Sequence, residues 1–171
     1  MGNTLSLTTL LLIALAPLAG ALLVGIFGTK MGGNLIGRAA SHTIAIAGVA
    51  LSFALSAQVL WQVLTQGASY NGTVYEWANI GGLVMEVGFM VDGLTAMMMC
   101  VVTFVSLMVH IYTMGYMRED PGYKRFFSYI SLFTFAMLML VMSNNLLQLF
   151  FGWEAVGLVS YLLIGFWYNK P

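Results

Sequence analysis

The segment that decides the fold covers residues 146–167 and reads LLQLFFGWEAVGLVSYLLIGFW. One acidic residue, Glu154, interrupts an otherwise uncharged stretch. The stretch is long enough to cross a hydrocarbon layer of about 30 Å, which needs roughly 20 helical residues. Since a helix rises about 1.5 Å per residue, Glu154 lies about 12 Å from the start of the stretch and near its middle. We therefore expect a membrane-spanning helix with a carboxyl group near the bilayer centre.

Four more apolar runs of sufficient length precede this one, at residues 5–27, 43–64, 87–114 and 126–142. Of the 171 residues, 60% are hydrophobic and only 7% are charged. Soluble domains have about 25% charged residues, so lipid is the expected solvent. The predicted fold is an all-α, multi-pass bundle of about five transmembrane helices. Pro17 interrupts the first run, and a neighbouring helix is expected to satisfy the carbonyl that it frees.

The basic residues all fall in alternate connections between the predicted spans. They are Lys30 and Arg38, then Arg118, Lys124 and Arg125, and finally Lys170. The positive-inside rule assigns their side to the cytoplasm. The N-terminus and the loop 65–86 are then expected outside.

The outer loop is predicted to form a short β-hairpin. Asn71-Gly72 is a strong two-residue turn signal, and Tyr70, Tyr75 and Trp77 lie on either side of it. Aromatic side chains suit the membrane–water interface.

Glu154 is the main candidate for chemistry. Ionisable residues inside membrane spans face a bundle interior, water or a partner charge, and commonly serve transport. Its neighbours Phe150, Gly157 and Tyr161 suggest an interior face, and Gly152 with Gly157 would permit close helix approach. The alternative is a neutral glutamic acid that only packs and hydrogen-bonds.

Asp92 and His110 are secondary candidates for proton transfer. They are separated by about 27 Å along one helix, so Asp92 is expected near the outside and His110 near the cytoplasm. The alternative is that both are partly hydrated interfacial residues. His42 and His110 are the only histidines, and a bis-histidine haem is a further alternative.

Several function classes find no support in the sequence. The net charge is zero, which gives no basic footprint for nucleic acid. The single cysteine, Cys100, permits neither an internal disulfide nor a cysteine-based metal cluster. No phosphate-binding loop, dinucleotide-binding glycine pattern or nucleophile elbow is present, so no site for NADH, flavin, an iron–sulfur cluster or a metal is expected in this chain.

Three segments resemble the L-type (chain 5) membrane subunits of respiratory complex I. They are residues 110–117 (HIYTMGYM), 123–135 (YKRFFSYISLFTF) and 143–167 (SNNLLQLFFGWEAVGLVSYLLIGFW). The resemblance implies a proton-translocating subunit in a bacterial inner membrane, in which Glu154 pairs with a lysine on a seventh helix. Its implied partners are other membrane subunits and the lipid bilayer. NADH, FMN, iron–sulfur clusters and quinone belong to other subunits.

The resemblance also shapes the expected domain organisation. Residues 1–84 would supply two helices and the hairpin, and residues 85–171 the start of an antiporter-like region. No lysine lies inside a span, so an N-terminal fragment of a longer protein is expected. Two alternatives stay open: the large subunit of a multisubunit cation/proton antiporter, which shares the Trp153-Glu154 pair, and a non-transporting structural membrane subunit.

Overall fold

The computed structural model describes residues 5–170, which form five helices long and apolar enough to cross a membrane, together with one antiparallel hairpin. The helices are α1 (Leu7–Phe27), α2 (Arg38–Gln66), α3 (Gly93–Tyr116), α4 (Tyr123–Val141) and α5 (Leu146–Ile164). One turn of 3₁₀ helix, Lys30–Gly32, lies between α1 and α2. The predicted all-α, multi-pass architecture with a hairpin is confirmed.

The helices form a bundle in which α5 lies at the edge. Helix α1 packs on α2 and α4, and α2 also packs on α3. The main helical neighbour of α5 is α4, so most of the α5 surface stays uncovered in this part of the chain.

Pro17 lies inside α1 and has no N–H to donate to the carbonyl of Ile13, one turn earlier. The Ser52 hydroxyl of α2 donates to that carbonyl at 2.7 Å, and both Ser52 and Ile13 are fully buried. The expectation that a neighbouring helix satisfies the freed carbonyl is thus confirmed.

The hairpin pairs β1 (Tyr70–Ile80) with β2 (Leu83–Val91). Its turn is Gly81-Gly82, with φ angles of 61° and 91° that suit glycine. Asn71 and Gly72 lie within β1, opposite β2 residues, so the turn predicted there is wrong. Both dipeptides are turn signals, and pairing through the later one gives two much longer strands.

The strand β2 also corrects the start of the third helix. Residues 87–91 belong to β2, and α3 begins at Gly93 rather than at Val87. A short continuous apolar run fits a buried strand as well as a helix, which explains the error. The expected domain division after residue 84 falls inside β2 and stays an interpretation.

Three amide side chains, two in the α4–α5 connection and one in the first turn of α5, fix the hairpin to the bundle. Gln148 Oε1 accepts the N–H of Gly88 at 2.9 Å, and Asn145 Nδ2 donates to the Glu86 carbonyl at 3.1 Å. Asn144 Nδ2 donates to the Gly72 carbonyl at 3.3 Å, which engages the other strand. The hairpin and these connecting residues form one side of the bundle.

The basic residues lie together on the opposite side. Arg38 donates to the carbonyls of Arg118 and Asp120 in the α3–α4 connection. Lys170, after α5, forms an ion pair with Asp120 at 3.7 Å. We refer to this end of the bundle, which holds residues 28–38, 117–125 and 165–170, as the basic side.

Candidate functional site

Glu154 lies near the middle of α5, and its side chain is exposed on the outward face of that edge helix. Among residues 5–170 it has neither a hydrogen bond nor an ion pair. Trp153 and Tyr161 on the same helix are 66% and 74% exposed. The carboxyl group therefore belongs to a face that the five helices leave uncovered.

The expected interior position of Glu154 is thus wrong for the bundle that these residues form. Phe150 and Gly157, which suggested an interior face, are exposed as well. Gly152 is different, because a Cβ built there would lie 3.0 Å from the Leu140 Cα of α4. Close helix approach is confirmed at Gly152, whereas nothing lies within 4 Å of a Cβ at Gly157.

Asp92 is the N-cap of α3. Its carboxylate accepts the backbone N–H of Thr95 at 2.9 Å, which satisfies one of the unpaired donors at the helix start. This hydrogen bond outweighs desolvation and lowers the pKa of Asp92 below its ordinary value. Helix capping is sufficient to explain why a carboxylate occupies this position. A role for Asp92 in proton transfer stays a prediction.

His110 is completely buried between α3 and α4. Its Nδ1 lies 2.7 Å from the Ser106 carbonyl, and its Nε2 lies 3.0 Å from the Ser131 hydroxyl. The Ser106 hydroxyl also bonds to Thr134 on α4, so the imidazole belongs to a small network of hydroxyl groups. The alternative that His110 is a partly hydrated interfacial residue is wrong, because protein encloses the ring. Its role in proton transfer stays a prediction.

Both histidines contact the same aromatic ring, that of Phe127. The Phe127 ring centroid is 6.4 Å from that of His42 and 5.9 Å from that of His110. His42 Nδ1 is hydrogen-bonded to the Tyr123 hydroxyl at 2.9 Å. A bis-histidine haem would have to displace Phe127 and break a hydrogen bond of His110, so the geometry does not favour that alternative.

Two family models match the chain. Residues 77–127 match the model described as NADH-ubiquinone oxidoreductase (complex I), chain 5 N-terminus. Residues 143–171, which include Glu154, match the model described as NADH:quinone oxidoreductase/Mrp antiporter, transmembrane. Over 167 residues the chain is 63% identical to NADH-quinone oxidoreductase subunit L of Neisseria meningitidis serogroup A. This chain belongs to the complex I subunit L (chain 5) family.

Relatives in this family come from distant sources. The alignment with the N. meningitidis subunit L covers 96% of this chain and 24% of that protein. NADH-ubiquinone oxidoreductase chain 5 of Dictyostelium discoideum is 44% identical over 154 residues, which cover 90% of this chain and 22% of that protein. The sequence therefore spans about a quarter of the length of these subunit L and chain 5 relatives.

A solved structure shares the fold. It is the membrane-bound sulfane sulfur reductase, an archaeal respiratory membrane complex, with a TM-score of 0.68 over 90% of this chain and 22% of the matching chain. The sequence identity is 15%, so this likeness concerns the fold alone.

The sequence reasoning on this subunit L family member missed the amide cluster and the arginine on the basic side. Asn144, Asn145 and Gln148 are polar residues at the start of an apolar span, which is a usable signal for helix capping. The positive-inside rule uses only the charge of Arg38, whereas its hydrogen bonds link the start of α2 to the α3–α4 connection. Among residues 5–170, no group of three or more His, Cys, Asp or Glu side chains could hold a metal ion.

Proposed function

We propose that this chain is part of a proton-translocating membrane subunit of an NADH:quinone oxidoreductase, with Glu154 as the proton-carrying group. Membership of the subunit L family supports the assignment to an NADH:quinone oxidoreductase. The position of Glu154 within a membrane span supports its role as the proton-carrying group. In this proposal the basic side faces the cytoplasm and the hairpin faces outward, as the positive-inside rule predicts.

The single observation that carries the proposal is a carboxyl group in the middle of a membrane span that has no hydrogen bond or ion pair among residues 5–170. A charged side chain at the bilayer centre costs about 2.5–3.5 kcal/mol on insertion scales. Glu154 also lies on an uncovered face beside exposed Trp153. Such a face requires a partner that supplies a cation, a hydrogen bond or water.

A movable cation is the simplest partner for proton transfer. A positive charge close to Glu154 favours its ionised form, and removal of that charge favours uptake of a proton. The family resemblance implies that a lysine on a seventh helix supplies this charge. NADH oxidation and quinone reduction would take place in other subunits, which then drive the movement of the cation.

The test is Glu154→Gln in the full-length subunit within its assembled complex. Glutamine keeps the size and hydrogen bonding of the side chain but cannot carry a proton. We expect inverted membrane vesicles to lose most NADH-driven proton pumping and coupled turnover, with normal assembly on native gels.

The matched control is Glu119→Gln. Glu119 is an exposed carboxylate on the basic side and has no hydrogen bond or ion pair among residues 5–170. Its variant should pump normally. Persistence of pumping in Glu154→Gln would instead favour the structural-subunit alternative.

The antiporter alternative is favoured by one observation, since the model that matches residues 143–171 covers both NADH:quinone oxidoreductases and Mrp antiporters. Sodium-dependent proton exchange by the full-length protein, independent of NADH, would support it.

A further inference from the structure

A cleft opens on the basic side between the α1–α2 connection and the start of α4. Its volume is about 690 Å³. One wall is the segment 28–38, and the other is the segment 121–125. Both segments adjoin the ends of helices that are long and apolar enough to cross a membrane, so in the proposed membrane orientation we expect the cleft at the level of the lipid headgroups.

Four cations line this cleft and no acidic residue does. They are Lys30, Arg38, Lys124 and Arg125. Asp120, which precedes the lining residue Pro121, accepts from the Trp167 indole at 2.7 Å and pairs with Lys170. That is the one ion pair in the part of the chain that the structure describes, so the cleft cations have no acidic counterpart there.

Three of the four cations are held in place by neutral partners. The Arg125 guanidinium donates to the Phe166 carbonyl at 3.4 Å and lies 4.6 Å from the Phe166 ring centroid. The Arg38 guanidinium donates to two backbone carbonyls and lies 5.4 Å from the Tyr123 ring centroid. Lys124 Nζ donates to Asn34 Oδ1 at 2.6 Å. Carbonyl and amide oxygens orient these three groups without neutralising them, and each group retains free N–H donors. A cation that is already oriented loses less side-chain entropy on binding an anion.

Apolar side chains flank the same cleft. Met31, in its wall, is 83% exposed, and Leu35 nearby is 76% exposed. Leu23 and Phe27, on the last turns of α1, are also exposed. A soluble anion would not contact these apolar side chains. A lipid can contact both parts of the cleft, because its headgroup can bind the cations and its acyl chains can pack on the apolar side chains.

We propose that this cleft binds an anionic phospholipid, with the phosphate among the four cations and the acyl chains against the end of α1 and Met31. Basic pockets at the ends of membrane helices are known to suit such headgroups. The inference does not depend on Glu154 carrying protons.

The test measures retention of labelled phosphatidylglycerol by the purified, detergent-solubilised complex that contains the full-length subunit. Lys30→Gln combined with Lys124→Gln removes two cleft charges, while glutamine at 124 can still donate to Asn34. Each basic residue near a membrane surface contributes about fivefold, so we expect retention to weaken about 25-fold. Phosphatidylcholine retention should not change.

The matched control is Arg118→Gln, which removes a charge from the basic side but not from the cleft lining. Its phosphatidylglycerol retention should stay within about twofold of the unmodified protein, since the electrostatic contribution falls off outside the contact region. Equal losses in the control and in the double variant would overturn the proposal. Native gels establish that each variant assembles.

Two further arms identify the source of the anion. Glycerol phosphate, which has the headgroup chemistry without acyl chains, should bind far more weakly than phosphatidylglycerol, and Met31→Ser with Leu35→Ser should weaken only the lipid. Equal binding of glycerol phosphate would indicate a soluble ligand and refute the proposal. Protection of Lys30 from amine-modifying reagents in the delipidated complex would show that protein covers the cleft, which also refutes it.

Discussion

Replacing Ser52 by alanine should destabilise the subunit by about 1–2 kcal/mol, in the range measured for hydrogen bonds between membrane helices and for buried groups that lose their partner. The Ser52 hydroxyl donates to the Ile13 carbonyl at 2.7 Å, and Pro17 has no N–H to replace it. Both ends of the bond are fully buried, so neither water nor lipid reaches the carbonyl that the substitution leaves unpaired.

Ser56 provides a matched control one turn further along α2. It is equally buried, and its hydroxyl has no hydrogen-bond partner among residues 5–170. Ser56→Ala removes the same atoms without breaking a bond, so it should be neutral or slightly stabilising. A second control uses Pro17→Ala, which restores an N–H for Ile13. In that background Ser52→Ala should cost much less, and the double-mutant cycle measures the coupling.

The assay is reversible unfolding of the full-length protein in mixed detergent micelles, followed by circular dichroism. The reasoning fails if Ser52→Ala and Ser56→Ala have equal stability. It also fails if the cost of Ser52→Ala is the same with proline and with alanine at position 17.

Two other substitutions test the hairpin side of the bundle. A Cβ on Gly88 would clash with the Asn144 side-chain amide, so Gly88→Ala should loosen the hairpin and speed amide exchange there. Gly93→Ala is the control, because nothing lies within 4 Å of a Cβ at Gly93. Equal exchange in the two variants would contradict the Gly88–Asn144 contact. Asp92→Ala should lower stability at neutral pH by about 1 kcal/mol through loss of the α3 cap, as thermal unfolding would show. Since the pKa of Asp92 is lowered by the Thr95 N–H, its contribution is complete above the ordinary value of 3.8 and is lost as pH falls through the lowered pKa. Asp92→Asn keeps a capping oxygen and should reduce this acid sensitivity; an unchanged pH dependence would assign it to other groups.

The existence of the five spans could be predicted because hydrocarbon thickness alone demands long apolar runs. The face of α5 that carries Glu154 could not be predicted, because an apolar helix without a polar stripe gives no sign of which side is covered. Phe150 and Tyr161 could equally well face the interior of this bundle or an interface with further helices, and within residues 5–170 both are exposed.

The hairpin shows a different limit of prediction from the sequence. Its presence followed from aromatic and turn residues, but Asn71-Gly72 and Gly81-Gly82 are both acceptable turns. The choice between them depends on contacts with Asn144 and Gln148, which come from a distant part of the sequence. Likewise, the burial of His110 depends on Ser131, a residue of another helix.

The attachment of the hairpin to Asn144 and Gln148 also determines the order in which parts of the protein can assemble. Gln148 lies 60 residues after Gly88, and Asn144 lies 72 residues after Gly72. The ribosome therefore releases both strands well before it makes the groups that fasten them. Until α4 and α5 have been made, the hairpin is held only by its own ladder of hydrogen bonds, and two-stranded hairpins alone are marginal in water. A substitution that weakens this attachment, such as Gly88→Ala, should therefore impair a late step of folding, after the helices have already inserted into the membrane.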